Sequence, residues 1–208
     1  MTTTPSHPSG TASDVFLRKL RTETAPMHSA LEANAVSTSL MSPALDEKIY
    51  KRYLTLMGEV VAFTEKVIFP AVQDIVPDLH ERHKLQHIHA DLASLSSQEQ
   101  QQPALFHPDE KEFNVPFALG YMYVIEGSTL GGRVILKHVQ ETLKLDEHRG
   151  AGFFAGYGAE TGVKWKNFLS NLTNYAERSG NGDEIIKGAV HAFAAIDRYF
   201  AANSQHEH

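Results

Sequence analysis

Apolar residues return at steps of three and four along most of this chain. Leu17, Leu20, Thr24, His28 and Leu31 form one such stripe, which predicts a helix over 14–35 with Asp14 as its N-cap. Pro26 lies inside it and is expected to kink or split the helix just before His28. Ser42-Pro43 reads as the start of a second helix to about residue 69, carrying Leu45, Ile49, Tyr53, Leu56, Val60, Phe63 and Val67 on one face. Asp78 is placed to cap a third, to about residue 95, whose core side uses Leu79, Leu85, Ile88, Leu92 and Leu95. After a polar connection over 96–112, Asn114 and Pro116 open a helix that reaches about residue 143. A glycine and aromatic loop follows over 146–158, then helices over about 160–176 and from the 179–183 turn to about 202. No stretch alternates polar and apolar residues as a strand does, so the fold class is all-α, a single-domain bundle of six to eight helices.

Composition narrows the picture. Residues 1–13 are rich in Thr, Ser, Pro and Gly and are expected to be a disordered tail, with 14–203 as the helical domain and 204–208 as a C-terminal tail. A net charge of -6 without any basic, aromatic-interleaved block argues against nucleic acid or an anionic membrane as partner. There are no cysteines, which excludes disulfides, thiolate nucleophiles and cysteine metal sites. No apolar run is long enough for a membrane span, and the polar N-terminus lacks a signal-type segment, so a cytoplasmic location is expected.

Two features carry candidate chemistry. Gly127, Gly131 and Gly132 stand in the middle of the apolar 120–136 run, where each costs about 1 kcal/mol relative to alanine. Gly127 and Gly131 share a face, which either permits a close helix crossing or leaves a wall stripped of side chains. His28 is the histidine on the first apolar stripe, with Glu32 one turn on, where a carboxylate fixes the imidazole tautomer and makes the other nitrogen a better ligand. The plainer reading of His28 is a satisfied core histidine. His80, His83 and His87 would share one side of the third helix; without a completing carboxylate they read as a solvated face rather than a metal site.

At these residues the chain resembles the haem oxygenase family, in particular its bacterial branch associated with phytochromes. The 20–32 stretch resembles the family's proximal helix, with Thr24, His28 and Glu32 in register, and Tyr123-Val124-Ile125-Glu126-Gly127-Ser128-Thr129-Leu130-Gly131-Gly132 resembles its distal helix. Gly156-Tyr157-Gly158, Trp165, Phe168 and Phe193 also look like family sequence. The resemblance implies that His28 ligates the iron of haem b and that Gly127, Ser128 and Gly131 line the distal, catalytic side. It further implies that haem is substrate as well as cofactor. Arg21 is the matching propionate partner; Tyr121, Gly132, Arg133, Lys164, Lys166, Phe193 and Glu32 are further candidates for holding haem or its ligand.

Animal members carry a distal aspartate where this chain has Ser128, so the resemblance leaves proton delivery to Ser128, backbone carbonyls and water. Glu126, one position before Gly127, points elsewhere on the helix. The implied reaction opens haem at a meso carbon with dioxygen, giving biliverdin, CO and ferrous iron. Electrons come from an external reductant such as ferredoxin, a reductase or ascorbate, since no Rossmann or flavin motif is present. A bacterial phytochrome receiving biliverdin is the implied partner. The alternative is a haem-binding or haem-sensing protein of the same fold without turnover. A haem-free, thiaminase-like enzyme would need a nucleophile, usually cysteine, that this chain lacks.

Overall fold

The computed structural model describes residues 11–95, 103–109 and 112–204, and every regular element among them is helical. α1 (Ala12–Ala33) begins before the apolar stripe does. Thr11 is its N-cap, and Asp14 is instead the third helical residue of a capping box, accepting the Thr11 N–H. Ala12 and Ser13, expected in the tail, therefore belong to the helix. Residues 1–10 and 205–208, where the rest of the two tails was expected, lie outside the described residues. Pro26 does not split α1: it faces solvent, so the Thr22 carbonyl deprived of an N–H partner is open to water. Asn34 ends α1 and caps a short α2 (Ala35–Leu40), its side-chain oxygen taking the Val36 N–H at 3.0 Å.

α3 (Glu47–Phe63) starts later than Ser42-Pro43 predicts. Asp46 is the cap, accepting the Ile49 N–H at 2.8 Å, while Ser42 is spent in the preceding turn on the Ala44 N–H. The helix passes into a π turn, Thr64–Ile68, and then α4 (Phe69–Val72). That change of winding aims Glu65 at the backbone N–H groups of Lys84 and Leu85, 2.6 and 2.9 Å away. These donors open α5 (Leu85–Ser94), so the single helix expected over 78–95 is in fact a 3-10 turn, Leu79–Glu81, a connector and α5. Part of the expected 96–112 connection lies outside the described residues; the described part, 103–109, is not helical.

α6 (Val115–Leu143) opens on Asn114, whose side chain accepts the Phe117 N–H at 3.0 Å, and it runs unbroken through its glycines. A single turn, α7 (Gly152–Ala155), sits inside the expected 146–158 loop, and α8 (Thr161–Ser179) and α9 (Gly182–Ala202) complete the chain. α6 packs along α9, with α7 and α8 at its flanks, and α1 lies on α9 and α8. The close helix crossing is made by other glycines than the sequence pointed to. A Cβ on Gly120 would fall 2.2 Å from the Ile185 carbonyl oxygen, and one on Gly188 would fall 2.1 Å from that of Phe117. Only glycine allows two backbones that near.

Candidate active site

His28 is not a core histidine. Its side chain is 55% exposed, Glu32 Oε2 lies 3.3 Å from its Nδ1, and Phe193 of α9 meets the ring edge-on with centroids 5.5 Å apart. One ring nitrogen is thus held from the next turn and the ring's tilt is set from α9, and the side chain remains more than half exposed. One and two turns earlier on the same side of α1, Thr24 and Arg21 adjoin Tyr123 of α6. Tyr123 is one turn before Gly127. The apolar side of α1 and the glycine side of α6 therefore approach each other at Tyr123.

The next turns of α6 carry little on this side. A Cβ on Gly131 would meet nothing within 4 Å, whereas one on Gly127 would touch the Trp165 indole at 3.5 Å. Leu130 and Val134, at neighbouring positions, leave 44% and 65% of their surface uncovered. An uncovered apolar strip beside a side-chain-free turn suits a flat apolar molecule. Trp165 closes one end, its ring 5.5 Å from Tyr123 and stacked on Phe168 at 5.9 Å. Ser128 is exposed, but its hydroxyl donates to the Ile125 carbonyl at 2.7 Å, so it offers lone pairs rather than a proton.

Of the other residues singled out in the sequence, Arg21 and Lys166 are exposed and have no ion pair among the described residues. Four are placed differently from the sequence reading. Gly132 backs onto the Phe154 carbonyl, 2.8 Å from where its Cβ would stand, and serves packing against α7. Tyr121 is buried in an aromatic cluster with Phe113 and Phe117, its hydroxyl 2.7 Å from His191 Nδ1. Arg133 donates to the Gly158 carbonyl at 2.8 Å and ties down the turn before α8. Lys164 is buried, its ammonium paired with Asp78 at 3.1 Å and with Glu81. His80, His83 and His87 fall on the 3-10 turn, the connector and α5, so they do not share a face, and no group of metal ligands occurs among the described residues.

A buried ionic cluster stands behind α6, on elements whose sequence gave little sign of it. Glu126 Oε1 receives Lys84 Nζ at 2.5 Å, Oε2 receives Arg82 Nη1, and Tyr157 OH reaches both oxygens at 2.9 and 3.0 Å. Burial first, and the Glu126 charge second, push the Tyr157 phenol well above its ordinary value, so it stays protonated as a donor. Arg82 is fully enclosed and forks onto Asp78 at 2.8 and 3.0 Å, with a further bond to the Lys164 carbonyl at 3.1 Å.

The family model described as heme oxygenase matches residues 14–202. The chain belongs to the haem oxygenase family. Its activity is the family's, cleavage of haem to biliverdin, CO and ferrous iron, with haem as the substrate. Solved structures share the fold. A heme oxygenase from Neisseria meningitidis, solved with NO and CO bound, is 22% identical with a TM-score of 0.71, covering 91% of this chain and 92% of that one. The heme oxygenase of Leptospira interrogans is 17% identical, TM-score 0.70, over 90% of this chain and 98% of that one. Heme oxygenase 2 of Chlamydomonas reinhardtii, without heme, is 13% identical, TM-score 0.72, over 90% and 96%. No curated protein matches the chain. Among the described residues no helix is long and apolar enough to cross a membrane.

Proposed function

We propose that haem enters the cleft between α1 and α6 with His28 Nε2 as its proximal ligand and with Gly127, Ser128 and Gly131 against its distal face. The observation that carries this reading is the half-exposed imidazole whose Nδ1 is held by Glu32 and whose ring rests on Phe193. The residues fit the group: a held imidazole on one wall, a turn without side chains on the other, and uncovered Leu130 and Val134 to receive an apolar ring. Arg21 and Lys166 remain as cations for the propionates, whereas the partners of Lys164 and Arg133 commit those side chains elsewhere.

Bound haem supplies the iron at which dioxygen and electrons from an external donor are used. The chain's part is to hold, orient and protonate. The imidazole would give weaker electron donation than a thiolate, which disfavours early O–O cleavage and leaves the outcome to the distal groups. Gly131 admits the substrate plane close to the α6 backbone. Ser128 Oγ, its own proton committed to Ile125, accepts from a water and turns that water's other hydrogen toward the cleft. The electron donor is ferredoxin, a reductase or ascorbate, and biliverdin passes in the cytoplasm to a phytochrome. The resemblance of the 20–32 and 123–132 stretches to the phytochrome-associated branch supports that assignment.

Titrating haem into the protein while recording absorbance tests the site. A one-to-one complex with a histidine-ligated spectrum is expected, lost in His28→Ala and restored by added imidazole. An unaltered spectrum in His28→Ala would assign the iron to another residue.

A further inference from the structure

We propose that Glu126, with Arg82, Lys84 and Tyr157, is a positioning device that fixes the rotation and register of the glycine-bearing part of α6, a role that rests on the haem-cleft reading above. This part of the helix is soft by composition. Three glycines lie between 127 and 132, and the hydroxyls of Ser128 and Thr129 bond back to the Ile125 and Glu126 carbonyls at 2.7 and 2.6 Å, a habit that bends helices. Glu126 leaves the helix about 140° and 200° round from Gly131 and Ser128, that is, away from the cleft.

Its carboxylate is grasped from two further chain segments at once. Lys84 and Arg82 come from the connector before α5, and Tyr157 comes from the turn before α8. Arg82 carries the grip onward to Asp78 and to the α8 backbone at Lys164, and Lys164 itself pairs with Asp78 and Glu81. Glu126, Arg82 and Lys84 are all buried. Enclosed charges of this kind are poor stabilisers compared with apolar side chains of equal volume, but their directional bonds admit one arrangement only. Stability therefore does not account for them, and registration of the helix above the substrate does.

Stability and registration separate in an apolar replacement. The variant Glu126→Leu, Arg82→Met, Lys84→Met, Tyr157→Phe is expected to lose no more stability than the loss of the Arg82–Asp78 pair accounts for. Its haem-free form should exchange amide hydrogens over residues 124–132 at least tenfold faster by mass spectrometry. Its kcat should fall at least tenfold while KM for haem stays within about twofold. Wild-type exchange and wild-type kcat in this variant would overturn the proposal. If the variant does not fold, Glu126→Gln decides by the same readings: faster local exchange with lowered kcat supports the device, and an unchanged kcat overturns it. Wild-type haem binding and turnover, measured alongside, report separately on the reading of the cleft.

Discussion

His28 and Phe193 meet edge to face, ring centroids 5.5 Å apart at 78°, while Glu32 approaches the imidazole from the following turn of α1. The imidazole's orientation is thus fixed from two helices. Glu32→Gln keeps the shape and drops the charge, and loss of such support weakens metal binding by about tenfold or more. Phe193→Leu keeps the position apolar and removes the ring contact, worth about 1 kcal/mol. Haem transfer to apomyoglobin measures both: release is expected to quicken about tenfold in the first variant and about fivefold in the second, with no large change in melting temperature.

The glycines of α6 divide into two kinds. Gly131→Leu has open space for its side chain and gains about 1 kcal/mol of helix propensity, so the haem-free protein should be as stable as wild type or more so. Haem binding should be lost. Gly120→Ala instead drives a methyl against the α9 backbone and should cost about 3 kcal/mol. Urea unfolding with haem titration separates the two; equal destabilisation would mean that Gly131 also packs against protein.

Ser128→Ala removes an exposed acceptor from α6 and leaves the backbone carbonyls in place. A hydrogen bond lost there is worth about 1 kcal/mol, or about fivefold in turnover. Single-turnover rates in H2O and D2O check this. A solvent isotope effect retained in the variant is expected, and complete loss of turnover would make Ser128 the indispensable group.

Asp78 links the Arg82 guanidinium to Lys164, and although burial works the other way, these bonds hold its carboxyl below the ordinary 3.8. A folded value lower than the unfolded one contributes stability that is present above the unfolded value and is lost as pH falls through the folded one. Wild type should therefore lose stability steeply below about pH 4. Asp78→Asn should be weaker at pH 7 by about 2 kcal/mol and show a flatter decline between pH 5 and pH 3. Urea midpoints across that range check the sign.

The long helices were legible because periodicity reports a buried face directly: α6, α8 and α9 lie where their apolar steps put them. Ends were less so, because several nearby residues compete to cap. Asp14 and Ser42 both look like caps, yet Thr11 and Asp46 have the free geometry. The break before α5 depends on Glu65 arriving from a π turn, a long-range event with no local signature. Spacing and resemblance singled out His28, Glu32, Phe193 and Gly131, and the structure sets Glu32 and Phe193 against His28 and leaves open space at Gly131. The partners of Lys164 and Tyr121 were not legible, since charge and hydroxyl say nothing of which neighbour will claim them. Glu126 left one clue, an acid within an apolar run, and its partners come from positions 42 and 44 residues earlier and 31 later.

The central claim is that this chain oxidises the haem that it binds, and the direct measurement is one aerobic reaction of the haem complex with ascorbate or a ferredoxin system, followed by absorbance and by capture of CO. Loss of the haem bands, growth of the biliverdin band and about one CO per haem are expected from wild type. Haem recovered intact from a complex supplied with dioxygen and a competent reductant would contradict it.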